Sequence, residues 1–411
     1  MRHSLTWLLL ASALLGQPAL DMQDLTVTTI ATGIQHAGDI EVDAQGNVWV
    51  IQIQGTVGGS GGRMTRISPT GTVTTNLGAP LSEMGQMIRA QDGFIYYWMN
   101  TGGGTTQFCQ LFPNGAIVTI STYVGRVALG IAQDSQGRFY MGTKVGSSFT
   151  GVLQRNSING VLTTYSSGIP GNDHRYLKMD PLDNLYGSNQ QSIYSLPQGG
   201  AAAVRYTANG LGGAGFLNGF DLGYFADQFT AVERTIGGTN PNNNRLISVT
   251  PEGYSTRIAD LGAIIGGGPA VVCRDLAGTG YYVLAQGTLY HITGAPGILT
   301  VGSPAFGQIQ ARVDHIGSAP FILAADSPGI NLMIPGFGDF ATSLGTGPGW
   351  FLLLDGLGAF AGADPFATCP WTFTVNNPSP AGLTLTLQAY ILDVAANNGL
   401  ILITNAVNVN I

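Results

Sequence analysis

Two patterns of apolar and polar positions alternate along most of this chain. In the first, an apolar run meets a turn that contains Pro or Asn and is closed by Gly, and a Thr/Val-rich run follows. The copies are RISPTGTVTT (Gly71), QLFPNGAIVT (Gly115), QRNSINGVLTT (Gly160), YSLPQGGAAAV (Gly200), ISVTPEGYST (Gly253) and HITGAPGILT (Gly297). These glycines are spaced by 44, 45, 40, 53 and 44 residues. In the second pattern an apolar run, an Asp-x-x-Gly-type turn and a run with an aromatic residue follow one another. Its copies are IEVDAQGNVWV, MIRAQDGFIYYW, GIAQDSQGRFYMG, LKMDPLDNLYGS, FDLGYFADQFTAV and VCRDLAGTGYYVL. Each pattern is a hairpin, so one period holds four short strands. Six such periods of about 45 residues predict an all-β chain folded as a six-bladed β-propeller over 25–297. The segment LTVTTIATGI (25–34) has the character of a fourth strand but precedes the first inner strand. It is therefore expected to complete the sixth blade and close the ring, removing exposed edges. The aromatics at matching places, Trp49, Tyr96, Tyr140, Tyr186 and Tyr281, are expected to pack between neighbouring sheets, and the fifth copy has Thr230 in their place.

After Gly297 the repeat stops. Residues 298–411 contain one Arg (Arg312), no Lys and no Glu, and turn glycines separate alternating runs. Leu383, Leu385 and Leu387 point one way and Thr384, Thr386 and Gln388 the other. Short strands over this length predict a small β-sandwich for 298–411.

Composition narrows the function classes. Of 411 residues, 61 are Gly and 20 Pro, and only 9% are charged, so charge repulsion cannot keep the chain disordered. With 16 Lys+Arg against 23 Asp+Glu and no basic run, no nucleic-acid partner is expected. Residues 2–20 carry a basic start (Arg2, His3) and a short apolar stretch, Trp7 to Leu15, too short to span a bilayer. Residues 1–20 are accordingly expected to be a signal peptide, giving a secreted or extracytoplasmic protein with no membrane span after cleavage. Cys109, Cys273 and Cys369 are an odd number in unlike contexts and are expected to be buried thiols.

The Asp43-to-Trp49 and Asp134-to-Tyr140 cores make residues 25–297 resemble the NHL-like six-bladed propellers, a group that includes the senescence-marker/gluconolactonase and streptogramin B lyase types. The tail from Pro380 through Gly382, Gln388, Asp393 and Thr404 resembles a C-terminal β module of varied secreted bacterial proteins, which implies export. That propeller fold hosts lactonases, lyases, dehydrogenases and binding modules alike. In propellers ligands usually sit near the central channel, at the loops that lead into the inner strands. The loops here supply His36, Asp39, Glu83, Arg126, Asp173, His174, Arg175 and Asn218 as ligand-binding candidates. A His beside carboxylates could act as a general base or metal ligand, and the same polar side chains could equally serve inner-strand backbone groups.

Asn218-Gly219-Phe220-Asp221 is similar to the Asn-Gly-Leu-Asp stretch that supplies a metal ligand in the lactonase group, so a divalent cation such as calcium is a possible cofactor by resemblance. The Gly-Gly-Gly-Pro-Ala loop (266–270) lacks the carboxylate that this group carries in its last blades, and it lacks the late His and Glu of the lyases. Gly58-Gly59-Ser60-Gly61-Gly62 and Gly210-Leu211-Gly212-Gly213-Ala214-Gly215 match catalytic and dinucleotide patterns without the surrounding elements those patterns need. His315 falls in the sandwich segment with no visible acid–base partner, and Glu233-Arg234 is expected in an exposed turn of blade five. The expectation is a secreted, monomeric, non-catalytic propeller in which a small molecule, glycan or protein partner binds at the channel mouth. The alternatives are a metal-dependent lactonase-like hydrolase or lyase, and a scaffold whose channel residues hold only water.

Overall fold

The computed structural model describes residues 19–20, 25–34, 37–52, 62–81, 84–145, 148–155, 160–166, 176–189, 191–208, 214–223, 228–236, 244–262, 270–294, 296–303, 308–315, 319–330, 332–334, 338–343, 351–355, 368–376, 384–393, 396 and 401–410. The described elements are all strands, and no helix among them is long and apolar enough to cross a membrane. The chain divides into two compact units. One is built on Val27–Gly253 and Asp260–Ile292, and the other on Thr293–Ile411 with Tyr254–Ala259.

The first unit is a β-propeller. Blade 1 runs from inner to outer strand through Ala37–Val42, Val48–Gln52, Gly62–Ile67 and Val73–Leu81. Four more sheets repeat this meander, with inner strands Met84–Arg89, Val127–Gln133, Tyr176–Met179 and Ala214–Leu222. The sixth sheet takes Val271–Arg274, Gly280–Ala285 and Thr288–Gly294 from late in the chain and its outer strand, Leu25–Ala31, from the beginning. Closure by the early strand is thus observed, and Thr26 Oγ1 lies 2.9 Å from Thr293 Oγ1 across that seam. The inner strands neighbour one another in order, blade 1 to blade 6, and the sixth returns to the first. The two-residue strand Ala19–Leu20 pairs with the outer strand of blade 5, Ser255–Gly262; the rest of the expected leader, 1–18, lies outside the described residues.

Turn chemistry explains why the repeat folds this way. Asp43 accepts the backbone N–H groups of Gln45 and Asn47 through Oδ1, closing the first turn, while its Oδ2 accepts Trp49 Nε1–H at 2.8 Å. Asp134 does the same for blade 3, accepting Gln136 and Arg138 N–H and the Tyr140 hydroxyl at 2.8 Å. In blades 1 and 3 the recurring aromatic therefore has two jobs. It satisfies the turn carboxylate six residues back, and its ring fills the space against the next blade: Trp49 among Met87, Ile95 and Tyr97, and Tyr140 among Leu177, Leu185 and Tyr194. In the fifth copy Thr230 reaches the next blade by a hydrogen bond instead, donating to Tyr281 Oη at 2.9 Å. The turn glycines are needed for close approach. A Cβ on Gly253 (φ +92°) would stand 1.8 Å from the Arg205 carbonyl oxygen of blade 4, and one on Gly71 (φ +83°) 2.4 Å from that of Ile30.

Glu233 is not in a turn. It lies buried in the strand Phe229–Ile236, where Oε2 accepts from Tyr206 Oη at 2.9 Å and pairs with Arg245 Nη2 at 3.0 Å. These partners come from the neighbouring strand and the preceding blade, so nothing near Glu233 in sequence announces them.

In the second unit the sheet of Ile298–Gly302, Gln308–Asp314 and Trp371–Asn376 shares one apolar core with a sheet centred on Phe321–Asp326 and Thr384–Leu392. Leu299, Ala311 and Val313 of the first sheet meet Phe321, Leu323, Leu387 and Ala389 of the second. The polar face expected on Thr384–Leu392 is covered as well: Thr386 and Gln388 are buried, and Gln388 donates to the Thr404 carbonyl and accepts from Ala341 N–H. Cys109, Cys273 and Cys369 are buried free thiols.

Candidate functional site

Each inner strand leaves one edge of its sheet facing the channel, where no further strand can pair with it. Side chains meet that need. Asp39 Oδ2 accepts Met87 N–H at 2.7 Å from the next blade, and Asp221 Oδ2 accepts Arg274 N–H at 2.7 Å in the same manner. Gln86, only 2% exposed, ties three blades together: Oε1 accepts Ile131 N–H (3.1 Å) and Leu177 N–H (2.7 Å), and Nε2 donates to the Leu177 carbonyl (3.0 Å). Burial pushes the Asp39 carboxyl up to about 8 against the opposing pull of the Met87 N–H and Lys178, so it is mostly neutral at pH 7.

Beyond this level the channel widens into a cavity of about 670 Å³. Its charged lining is Glu41, Arg89, Lys178, Asp221, Arg274 and Asp275, drawn from five blades, with Gln133 supplied by the remaining one. The register is regular. Glu41, Lys178 and Asp221 stand two residues before the turn that follows their inner strand; Arg89, Gln133 and Arg274 stand one before it. Exposed turn residues Ala44, Gln91 and Ala277 frame the opening.

Lys178 is the electrostatic centre. Its Nζ lies 2.9 Å from Asp221 Oδ1 and 3.8 Å from Glu41 Oε2, with side-chain exposures of 13% for the lysine and 8% for each carboxylate. Burial works to lower the Lys178 pKa, but Asp221 and Glu41 outweigh it and hold the ammonium above its ordinary range. For Glu41 the balance runs the other way: burial raises the carboxyl, Lys178 pulls it back and the Asp221 charge adds to the rise. Glu41 Oε1 also accepts Val42 N–H at 2.9 Å, and Asp221 Oδ1 accepts Leu222 N–H at 2.8 Å. A lysine held protonated in this way is neither a nucleophile nor a base. The two carboxylates do not suit a divalent cation either, because the ammonium already stands between them. Among the described residues no group of three or more His, Cys, Asp or Glu is placed to share a metal ion.

Of the candidates read from the sequence, His36, Glu83, Asp173, His174 and Arg175 lie outside the described residues. Asn218 lies on Ala214–Leu222, and its side chain is likewise outside them. Asp39 serves the inner-strand backbone as above. Arg126 is half-buried where Val127–Gln133 begins; its N–H donates to the Gly104 carbonyl at 2.7 Å and its own carbonyl accepts from Thr106 Oγ1 at 2.9 Å. Neither lines the cavity, which lies at the opposite end of the inner strands from the loops that carry these candidates. Glu41, Arg89, Lys178 and Arg274 escape a reading centred on the loops, because their signal lies inside the strands, at the one or two positions before each turn. His315, expected to have no acid–base partner, pairs through Nε2 with Asp393 Oδ2 at 3.0 Å in the second unit.

No protein-family description and no curated protein matches the chain. Solved structures similar to it include a gluconolactonase from Xanthomonas campestris (12% identity, 67% of this chain and 94% of that one, TM-score 0.49). An auxiliary nutrient binding protein from Bacteroides thetaiotaomicron is also similar (12% identity, 67% and 76%, TM-score 0.48). So is a PQQ-bound aldose sugar dehydrogenase from Streptomyces coelicolor (15% identity, 67% and 99%, TM-score 0.45). At these scores the likeness carries nothing about function, and the propeller rests on its own strand pairing.

Proposed function

We propose that this chain is an exported β-propeller binding protein that holds a small polar ligand in the cavity at the turn end of its channel. One observation carries the reading. In a protein with only 9% charged residues, six charged side chains from five blades converge on a single cavity of about 670 Å³. Such a volume lies within the range of small-molecule sites, roughly 300–1,000 Å³. Binding is favoured over catalysis here because the central lysine is kept protonated by two carboxylates that are themselves engaged. Export is read from residues 2–20.

The test uses the exposed rim. Ala44→Trp and Ala277→Trp each place a large ring over the opening without disturbing a packed position. Thermal-shift measurements against simple sugars, amino acids and organic acids are expected to find at least one stabilising compound for the unaltered protein. The same compound should give no shift with either Trp variant. No stabilising compound at all, or shifts that persist in both variants, would sink the reading.

A further inference from the structure

The charged side chains around the cavity divide into those whose polar atoms are engaged and one with an idle donor. Lys178 is matched by Asp221 and Glu41. Asp221 also accepts two backbone N–H groups. Asp275 accepts Thr279 N–H and lies 3.1 Å from His291 Nε2. Arg274 donates Nε and Nη2 to the Gly278 carbonyl, at 3.1 and 2.7 Å.

Arg89 is different. Its Nη1 is buried with no hydrogen-bond partner, and among the described residues no carboxylate stands within ion-pair distance of its guanidinium. The Glu41 carboxylate faces it electrostatically, but a buried N–H donor that makes no hydrogen bond is costly, since its desolvation is not offset by any charge-assisted bond. Its planar fork is shaped for a planar two-oxygen anion. Formal charge is neutral here, since the three lining cations and three lining anions cancel, and the donor left unspent is Nη1 of Arg89.

Resting on the binding reading above, we infer that the ligand is a small carboxylate-bearing molecule and that Arg89 is the residue that grips its carboxylate. The remainder of the molecule lies towards Gln133 and the rim, away from the Glu41–Lys178–Asp221 group.

Isothermal titration of the full chain with benzoate, succinate, inorganic phosphate and glucose tests this. A carboxylate is expected to bind best. Arg89→Met should weaken it by about 30-fold or more and Arg89→Lys by less, because an ammonium keeps the charge but not the bidentate geometry. A second readout separates recognition from structure. Without ligand, Arg89→Met is expected to melt at or above the temperature of the unaltered protein, because a buried donor without a hydrogen-bond partner has been removed. Equal carboxylate affinity in Arg89→Met, tighter binding of phosphate or glucose than of either carboxylate, or a ligand-free Arg89→Met that melts markedly lower would each overturn the assignment. Glucose binding that the rim variants abolish, with no carboxylate binding, would overturn this inference alone. Silence from all four probes and from the wider compound panel would overturn both.

Discussion

In the C-terminal unit Arg312 and Asp314 sit two residues apart on one strand, hence on one face, with Nε 2.9 Å from both carboxylate oxygens. In the propeller Glu41, Lys178 and Asp221 meet only because blades 1, 4 and 5 bring them to one axis. The first pairing is local, on the strand face opposite Ala311 and Val313, which enter the apolar core. The second borders open volume, and Nη1 of neighbouring Arg89 has no hydrogen-bond partner. Buried charge by itself is therefore a poor pointer to a site. What distinguishes the cavity is that its charges are assembled from distant parts of the chain and leave one donor, Arg89 Nη1, without a hydrogen-bond partner.

The sharpest way to break this contrast is Lys178→Met. Removing the ammonium leaves Glu41 and Asp221 facing each other in a buried setting, and loss of one member of such a group costs about 3–5 kcal/mol. Urea unfolding monitored by tryptophan fluorescence should show a clearly lower midpoint at pH 7. The loss should shrink at low pH, where Glu41, already raised by burial, takes up a proton most readily. A midpoint unchanged at pH 7 would mean that the three side chains form no working ion pair.

The next effect has the opposite sign. The Asp39 carboxyl rises from its ordinary 3.8 to about 8 in the folded state, chiefly through burial. Between those values the native protein holds a proton that the unfolded chain has released, so stability falls as pH climbs from about 4 to about 8 and then levels. Asp39→Asn keeps an oxygen for Met87 N–H but cannot ionise. It is expected to leave stability unchanged near pH 4 and to raise it at pH 8 by a few kcal/mol, since each pH step of one in that interval is worth about 1.4 kcal/mol. Denaturation midpoints for both proteins across this range decide it. Curves that run parallel would show that Asp39 is ionised throughout.

How much of this was open to reading in the chain differs between fold and site. Turn chemistry is local, so Asp43 with Trp49 or the Gly71 turn announces a hairpin wherever it occurs, and the out-of-place strand Leu25–Ala31 even announces the closure. The cavity is not local. Whether the residue one or two places before a turn faces the axis depends on blade tilt, and which end of the channel opens depends on packing among six inner strands. Once the repeat is aligned, Glu41, Lys178 and Asp221 fall in the same register, and their shared position in a charge-poor chain was the usable signal. Glu233 and His315 show the same limit, since Tyr206 and Asp393 are brought to them by topology alone.

The smallest expected effect tests the local side of the comparison. His315 is buried, its Nε2 lies 3.0 Å from Asp393 Oδ2, and its Nδ1 has no partner. With one ring nitrogen engaged and the other bare, the aspartate is what orients the ring at the end of the Gln308–Asp314 strand. Asp393→Asn preserves an oxygen at that place but removes its charge, which weakens one hydrogen bond rather than deleting it, for a cost of about 1 kcal/mol. A slightly lower melting temperature is the expected outcome, with benzoate titration of the propeller cavity unaltered. The two measurements together are informative. If Asp393→Asn lowered carboxylate affinity as Arg89→Met is expected to, the C-terminal charges could no longer be called purely structural, and the distinction between self-contained pairs and an incompletely matched cavity would have to be given up.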